Sequence, residues 1–149
     1  MKRTITLCSS AQFFRKAIEV GRELEELGFK VILPQTAVMM KRSGNFDVAS
    51  YKTWFKDKKD YQKKTKLIKD HFKKVEKTEA ILVLNEEKEG LPGYIGGNTL
   101  MEMGLAFFLQ KPIFIYNRID SRLKFKEEVY GLNPIFINRN LKVIAEKLG

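Results

Sequence analysis

A chain of 149 residues, 44% of them hydrophobic, is long enough to bury one core and too short for two, so a single domain over 1–149 is expected. The formal charge of +10 raises the local concentration of anions without saying which anion is bound. No apolar run reaches the length of a bilayer span and residues 2–3 lead straight into a strand-like segment, so neither a membrane partner nor an export signal is expected; with one cysteine, Cys8, a reducing cytoplasmic setting is expected.

Residues 4–8 read as a strand, followed by Ser9 and Ser10 and a helix in which Phe14, Ala17, Ile18, Gly21 and Leu24 recur at helical spacing, with Ser10 as its cap. Gly28 suits the left-handed position that ends this helix, and residues 29–33 form a second strand stopped by Pro34. Residues 35–50 lose the pattern and read as a polar loop, long enough to be either a functional flap or a mobile segment. Residues 51–77 follow as one long helix or two shorter ones. Tyr51, Trp54, Phe55, Tyr61, Ile68, Phe72 and Val75 mark the buried face, and Lys63, Lys66, Lys69, Lys73 and Lys77 a solvated one.

Residues 80–84 are a compact apolar run typical of a strand buried on both faces, ending at Asn85. A loop with Gly90, Pro92, Gly93, Gly96 and Gly97 leads to a helix over 98–109 capped by Asn98. Residues 112–116 form a fourth strand, 135–137 a fifth, and 141–148 a closing helix, while 118–133 carry no readable chemistry. Alternating strands and helices imply an α/β fold: a flavodoxin-like three-layer sandwich whose five-stranded parallel sheet has the order 2-1-3-4-5. Ligands of such sheets sit beyond the carboxyl ends of the strands, at the switch between the first and third. That places Ser9, Ser10, Asn85 and the glycine loop at the site.

Glu102 is the only charged side chain between Glu89 and Lys111, inside the run Leu100 to Phe108, so it is expected to be buried in the first turn of its helix. An unpaired carboxylate there takes up a proton or needs compensation from a helix terminus, hydrogen bonds or a ligand. Either it serves the helix, or it is a nucleophile for an electrophilic carbon, as in retaining glycosidases. Gly96, Gly97 and Asn98 are either a plain turn or a loop whose bare amides approach a phosphate or sugar. Asn85 either bonds a sugar hydroxyl or satisfies backbone at a strand end, and Tyr94, like Trp54 and Phe13, either stacks on a base or covers the core. Cys8 pairs poorly with the only histidine, His71, which lies far along the chain, and no metal-ligand spacing is visible; no metal and no cofactor are expected.

The segments Cys8-Ser9-Ser10, Ala80 to Asn85, and above all Gly96-Gly97-Asn98-Thr99-Leu100-Met101-Glu102-Met103-Gly104 resemble the nucleoside 2-deoxyribosyltransferase-like superfamily over most of the chain. The resemblance implies that Glu102 is the nucleophile on the anomeric carbon. It also implies, through the deoxynucleoside 5'-monophosphate N-glycosidases of that superfamily, that Ser9, Ser10 and Gly97 receive a phosphate. The acidic residues that many transferases carry at the end of the third strand and before the nucleophile loop are replaced here by Asn85 and Gly96. The expected function is cleavage or transfer of the N-glycosidic bond of a nucleoside or nucleotide; the partners are that small molecule and, by resemblance, further copies of the chain. Two rivals are a nucleotide-sensing module without turnover and, last, a basic nucleic-acid-binding protein, for which the lysines lack exposed interleaved aromatics.

Overall fold

Short runs of apolar, mostly β-branched residues build the centre of the molecule, which is described over residues 2–149 by a computed structural model. β1 (Thr4–Cys8), β2 (Lys30–Ile32), β3 (Ala80–Val83), β4 (Ile113–Ile115) and β5 (Ile135–Phe136) form one sheet in the order β2-β1-β3-β4-β5, every pair parallel. Ile5 pairs with Ala80 and Cys8 with Val83, so the ends of β1 and β3 stand side by side. This is the expected flavodoxin-like α/β order.

Because side chains alternate along a strand, each central strand feeds two cores. Ile5, Leu7, Leu82 and Phe114 pack with Phe13, Ala17, Val20 and Leu24 around α1 (Phe14–Glu26), and with Ile144 of α6 (Lys142–Leu148). Cys8, Ile81, Val83, Ile113 and Ile115 pack on the other face with Val75 of α3 (Tyr61–Lys77), Met103 and Ala106 of α4 (Gly97–Phe108) and Val129 of α5 (Lys126–Gly131). Helices thus cover both faces, as right-handed crossovers between parallel strands require. Among the described residues no helix is long and apolar enough to cross a membrane.

Three expectations are corrected. Residues 35–50 are not an unstructured loop: α2 (Gln35–Ser43) buries Ala37 and Met40 against Phe14, and a 3-10 turn follows at Val48–Ser50. Two apolar side chains one turn apart are too sparse a pattern to announce a helix, and it is the contact with α1 that stabilises it. Residues 51–60 are two 3-10 turns ahead of α3, and of the proposed apolar stripe only Trp54 and Val75 are buried, whereas Phe55 and Tyr61 are exposed. The inward line of α3 instead runs through His71 and Val75, with Lys63, Lys66, Lys69, Lys73 and Lys77 in solvent as expected. Neither Ser10 nor Asn98 caps a helix through its side chain: Ser10 precedes a 3-10 turn at Ala11–Phe13, and α4 starts one residue earlier, with Gly96 at the capping position. Residues 118–133, for which the sequence offered no structural reading, hold the short helix α5.

Candidate active site

The switch between β1 and β3 opens into a cavity of about 440 Å³. Ser9 and Ser10 leave the end of β1, Gly96 and Gly97 open α4, and His71 and Glu102 reach in from α3 and α4; Trp54 and Tyr51 also line the space. Of the residues singled out by sequence, Ser9, Ser10, Tyr94, Gly96, Gly97, Asn98 and Glu102 line this space. Asn85 does not.

Asn85 is fully buried, and its side-chain amide is spent on the scaffold. Nδ2 donates to the carbonyls of Gly93 (3.3 Å) and Asn117 (2.8 Å), and Oδ1 accepts from the Asn117 amide at 2.8 Å. Asn117 Nδ2 donates in return to the Asn85 carbonyl at 2.8 Å. The pair brackets the ends of β3 and β4 and fixes the glycine loop between them, so the reading of Asn85 as a sugar ligand gives way to its structural alternative. Gly93 has φ +65°, and a side chain there would meet the Arg118 carbonyl. Only glycine combines that backbone with that approach.

Ser9 is buried and donates from Oγ to the Ser10 carbonyl at 3.2 Å. A Cβ on Gly96 would stand 3.1 Å from Ser10 Oγ, so glycine lets the β1 loop and the α4 loop touch. Around Gly97 there is open space, and the first amides of α4 lack intrahelical acceptors, an arrangement suited to an anion. Lys52, Lys64 and Lys88 also line the cavity, Lys88 Nζ lying 4.8 Å from the centre of the Tyr94 ring. Burial, then repulsion by Lys88, holds Lys52 below the usual lysine range; burial, then Lys52, does the same to Lys64. Three crowded ammonium groups would gain from a phosphate among them.

Glu102 sits in the second turn of α4, not the first, so the helix terminus gives it little help. It is 6% exposed, and burial pushes its carboxyl up to about 8 from an ordinary 4.5, with a hydrogen bond from Cys8 and the charge of Lys64 opposing. Burial, then Lys74, pushes His71 down to about 4 from 6.5, while Asp70 opposes. The Glu102 Oε2 to His71 Nε2 contact of 3.5 Å is therefore one between a neutral acid and a neutral imidazole at neutral pH. Burial, then Glu102, raises the Cys8 thiol well above its usual range.

Sequence reading set aside a Cys8–His71 pairing because of their separation along the chain, yet Cys8 Sγ lies 3.4 Å from His71 Nε2. The link is topological: α3 crosses the sheet face toward which the last side chain of β1 points. Cys8 and Glu102 both converge on Nε2, whereas His71 Nδ1 is buried with no partner among the described residues. A base relay uses the two ring nitrogens for two different partners, so these three residues do not form one. No family model matches the chain, and no curated protein is similar to it at a significant level.

Proposed function

We propose that the cavity takes a nucleoside or nucleoside 5'-monophosphate and that Glu102 cleaves its N-glycosidic bond. The carboxylate attacks the anomeric carbon, the carbon–nitrogen bond breaks, and the base leaves with the electron pair and takes up a proton. Water, or a second base, then displaces Glu102 from the glycosyl ester. The observation that supports this best is one buried carboxyl on the wall of a 440 Å³ cavity, a size within the range that holds small ligands. The sugar would lie against Glu102, the phosphate among Ser9, Ser10, Gly97 and the lysines, and the base beside Tyr94 or Trp54.

With the carboxyl at about 8, the charge of Lys64 already included, roughly one molecule in ten is ionised at pH 7, a tenfold penalty. Incubating the protein with deoxynucleosides and their monophosphates and resolving free base by chromatography tests the proposal. Release should vanish in Glu102→Ala; release that survives refutes the assigned role.

The same neutral carboxyl, with Asn85 where an acid stands in many transferases, favours a second reading: a nucleotide-sensing module that binds without turnover. Tight calorimetric binding with no free base would select it. Association of copies belongs to the same proposal, supported by Met101, Phe107 and Phe108 of α4, which are 45%, 51% and 81% exposed. Sedimentation tests it.

A further inference from the structure

We propose that Cys8, His71 and Glu102 form a site for one zinc-type divalent cation at the floor of the cavity. The ligands come from the end of β1, the inward face of α3 and the second turn of α4, and all three are buried. Their donor atoms lie within 4.8 Å of one another. A zinc-type ion with bonds of about 2.3 Å to sulfur and about 2.0–2.1 Å to nitrogen and oxygen sets its tetrahedral edges at roughly 3.3–3.6 Å. The edges from Nε2 already measure 3.4 Å to Cys8 Sγ and 3.5 Å to Glu102 Oε2. The third edge, from Cys8 Sγ to the Glu102 carboxylate, lies within the same 4.8 Å.

Convergence on a single ring nitrogen, which argues against a relay, is what a shared ion requires. One sulfur, one nitrogen and one oxygen donor select a borderline-soft ion over magnesium or calcium, which demand oxygen alone. Cys8 lies behind the other two, while His71 and Glu102 line the cavity, so the fourth position faces the open space. Three protein ligands with one open position is the arrangement of reactive rather than purely structural zinc sites. On binding, the thiol and the carboxyl release their protons to solvent, and thiolate and carboxylate together neutralise the ion.

Among the described residues His71 Nδ1 has no acceptor, and such outer bonds are worth about 10- to 100-fold in affinity elsewhere, so this site is weaker than a structural zinc site. The inference stands independently of the proposed glycosidase activity. The ion would occupy the carboxylate that attacks the sugar, so the loaded protein would be inactive in that reaction.

Titration of chelator-stripped full-length protein with Co²⁺, followed by displacement with Zn²⁺, tests the site without any turnover assay. One equivalent should give the intense visible bands of tetrahedral cobalt and a near-ultraviolet thiolate-to-metal band. Cys8→Ser should abolish the thiolate band and weaken binding at least tenfold, and Glu102→Gln, read separately in case one variant fails to fold, should weaken binding similarly. Absence of a stoichiometric complex in folded protein, or a cobalt spectrum unchanged in either folded variant, would overturn the proposal.

Discussion

Replacing Glu102 by glutamine should stabilise the fold in mild alkali while removing base release. The carboxyl titrates at about 8 when folded and near its ordinary 4.5 when unfolded, so the folded chain holds a proton that the unfolded chain has lost between those values. Its contribution to stability is therefore complete below about 4.5 and is lost as pH rises toward and through 8. His71 has the opposite sign: pushed down to about 4, it contributes fully above 6.5 and loses that contribution as pH falls through 4. Between pH 6.5 and 8 the folded His71 is neutral and the unfolded imidazole loses only its remaining half proton, about 0.4 kcal/mol of opposite sign, so Glu102 dominates the change there. At about 1.4 kcal/mol per pH unit the metal-free protein should lose about 2 kcal/mol across that window, with about 5 kcal/mol as the ceiling at higher pH. With a urea slope of roughly 1–3 kcal/mol per molar, the midpoint should fall by about 1 M. Glutamine keeps the shape and carries no proton to lose, so its midpoint should hold level or rise slightly, by the residual His71 contribution, over the same window. Urea titrations of both proteins at pH 6.5 and 8 decide the matter; parallel falls would refute the assignment of a proton to Glu102.

Three further measurements follow from the same geometry. If ionised Glu102 is the nucleophile, kcat/KM for base release should rise about tenfold per pH unit and level off above about 8; a bell centred below neutrality would contradict it. Lys52→Gln and Lys88→Gln should weaken binding of monophosphates about tenfold while leaving unphosphorylated nucleosides within twofold, a contrast that isothermal calorimetry reads directly. Asn85→Asp sets a carboxylate against the Gly93 and Asn117 carbonyls and should cost about 3 kcal/mol by urea unfolding, with any residual activity showing an unchanged KM.

The sheet was legible because its central strands are buried on both faces, which turns residues 80–84 into an uninterrupted apolar run, and because strand and helix patterns alternate with clear breaks at Gly28 and Pro34. Glu102 was legible as the only charge in an apolar run, and it does turn inward although Met101, Phe107 and Phe108 of the same helix face solvent. Helix α2 was hidden because its stability comes from Phe14 on another element, and a local window contains only half of that contact. Trp54 and the other aromatics around it drew attention from His71, since hydrophobicity ranks Phe55 above a histidine whatever direction the backbone faces. The cluster of Cys8, His71 and Glu102 depends on where α3 crosses β1, and nothing in residue spacing encodes a crossing point. Asn85 failed differently, because the residue type suits a ligand and a backbone clamp equally well and only the position of Asn117 decides between them.

The bracket that Asn85 and Asn117 make also separates two jobs that many proteins must fulfil with the same residues. The loop bearing Gly93 to Gly97 is riveted to β3 and β4, whereas the opposite wall, from Pro34 to Tyr51, rests on its own small nucleus of Phe14, Ala37 and Met40. One half of the cleft can thus be rewritten, by natural drift or by grafting, with the reacting centre left undisturbed. Chains sharing this scaffold should differ most in that replaceable half, and exchanging it between two of them should move ligand preference while sparing the chemistry.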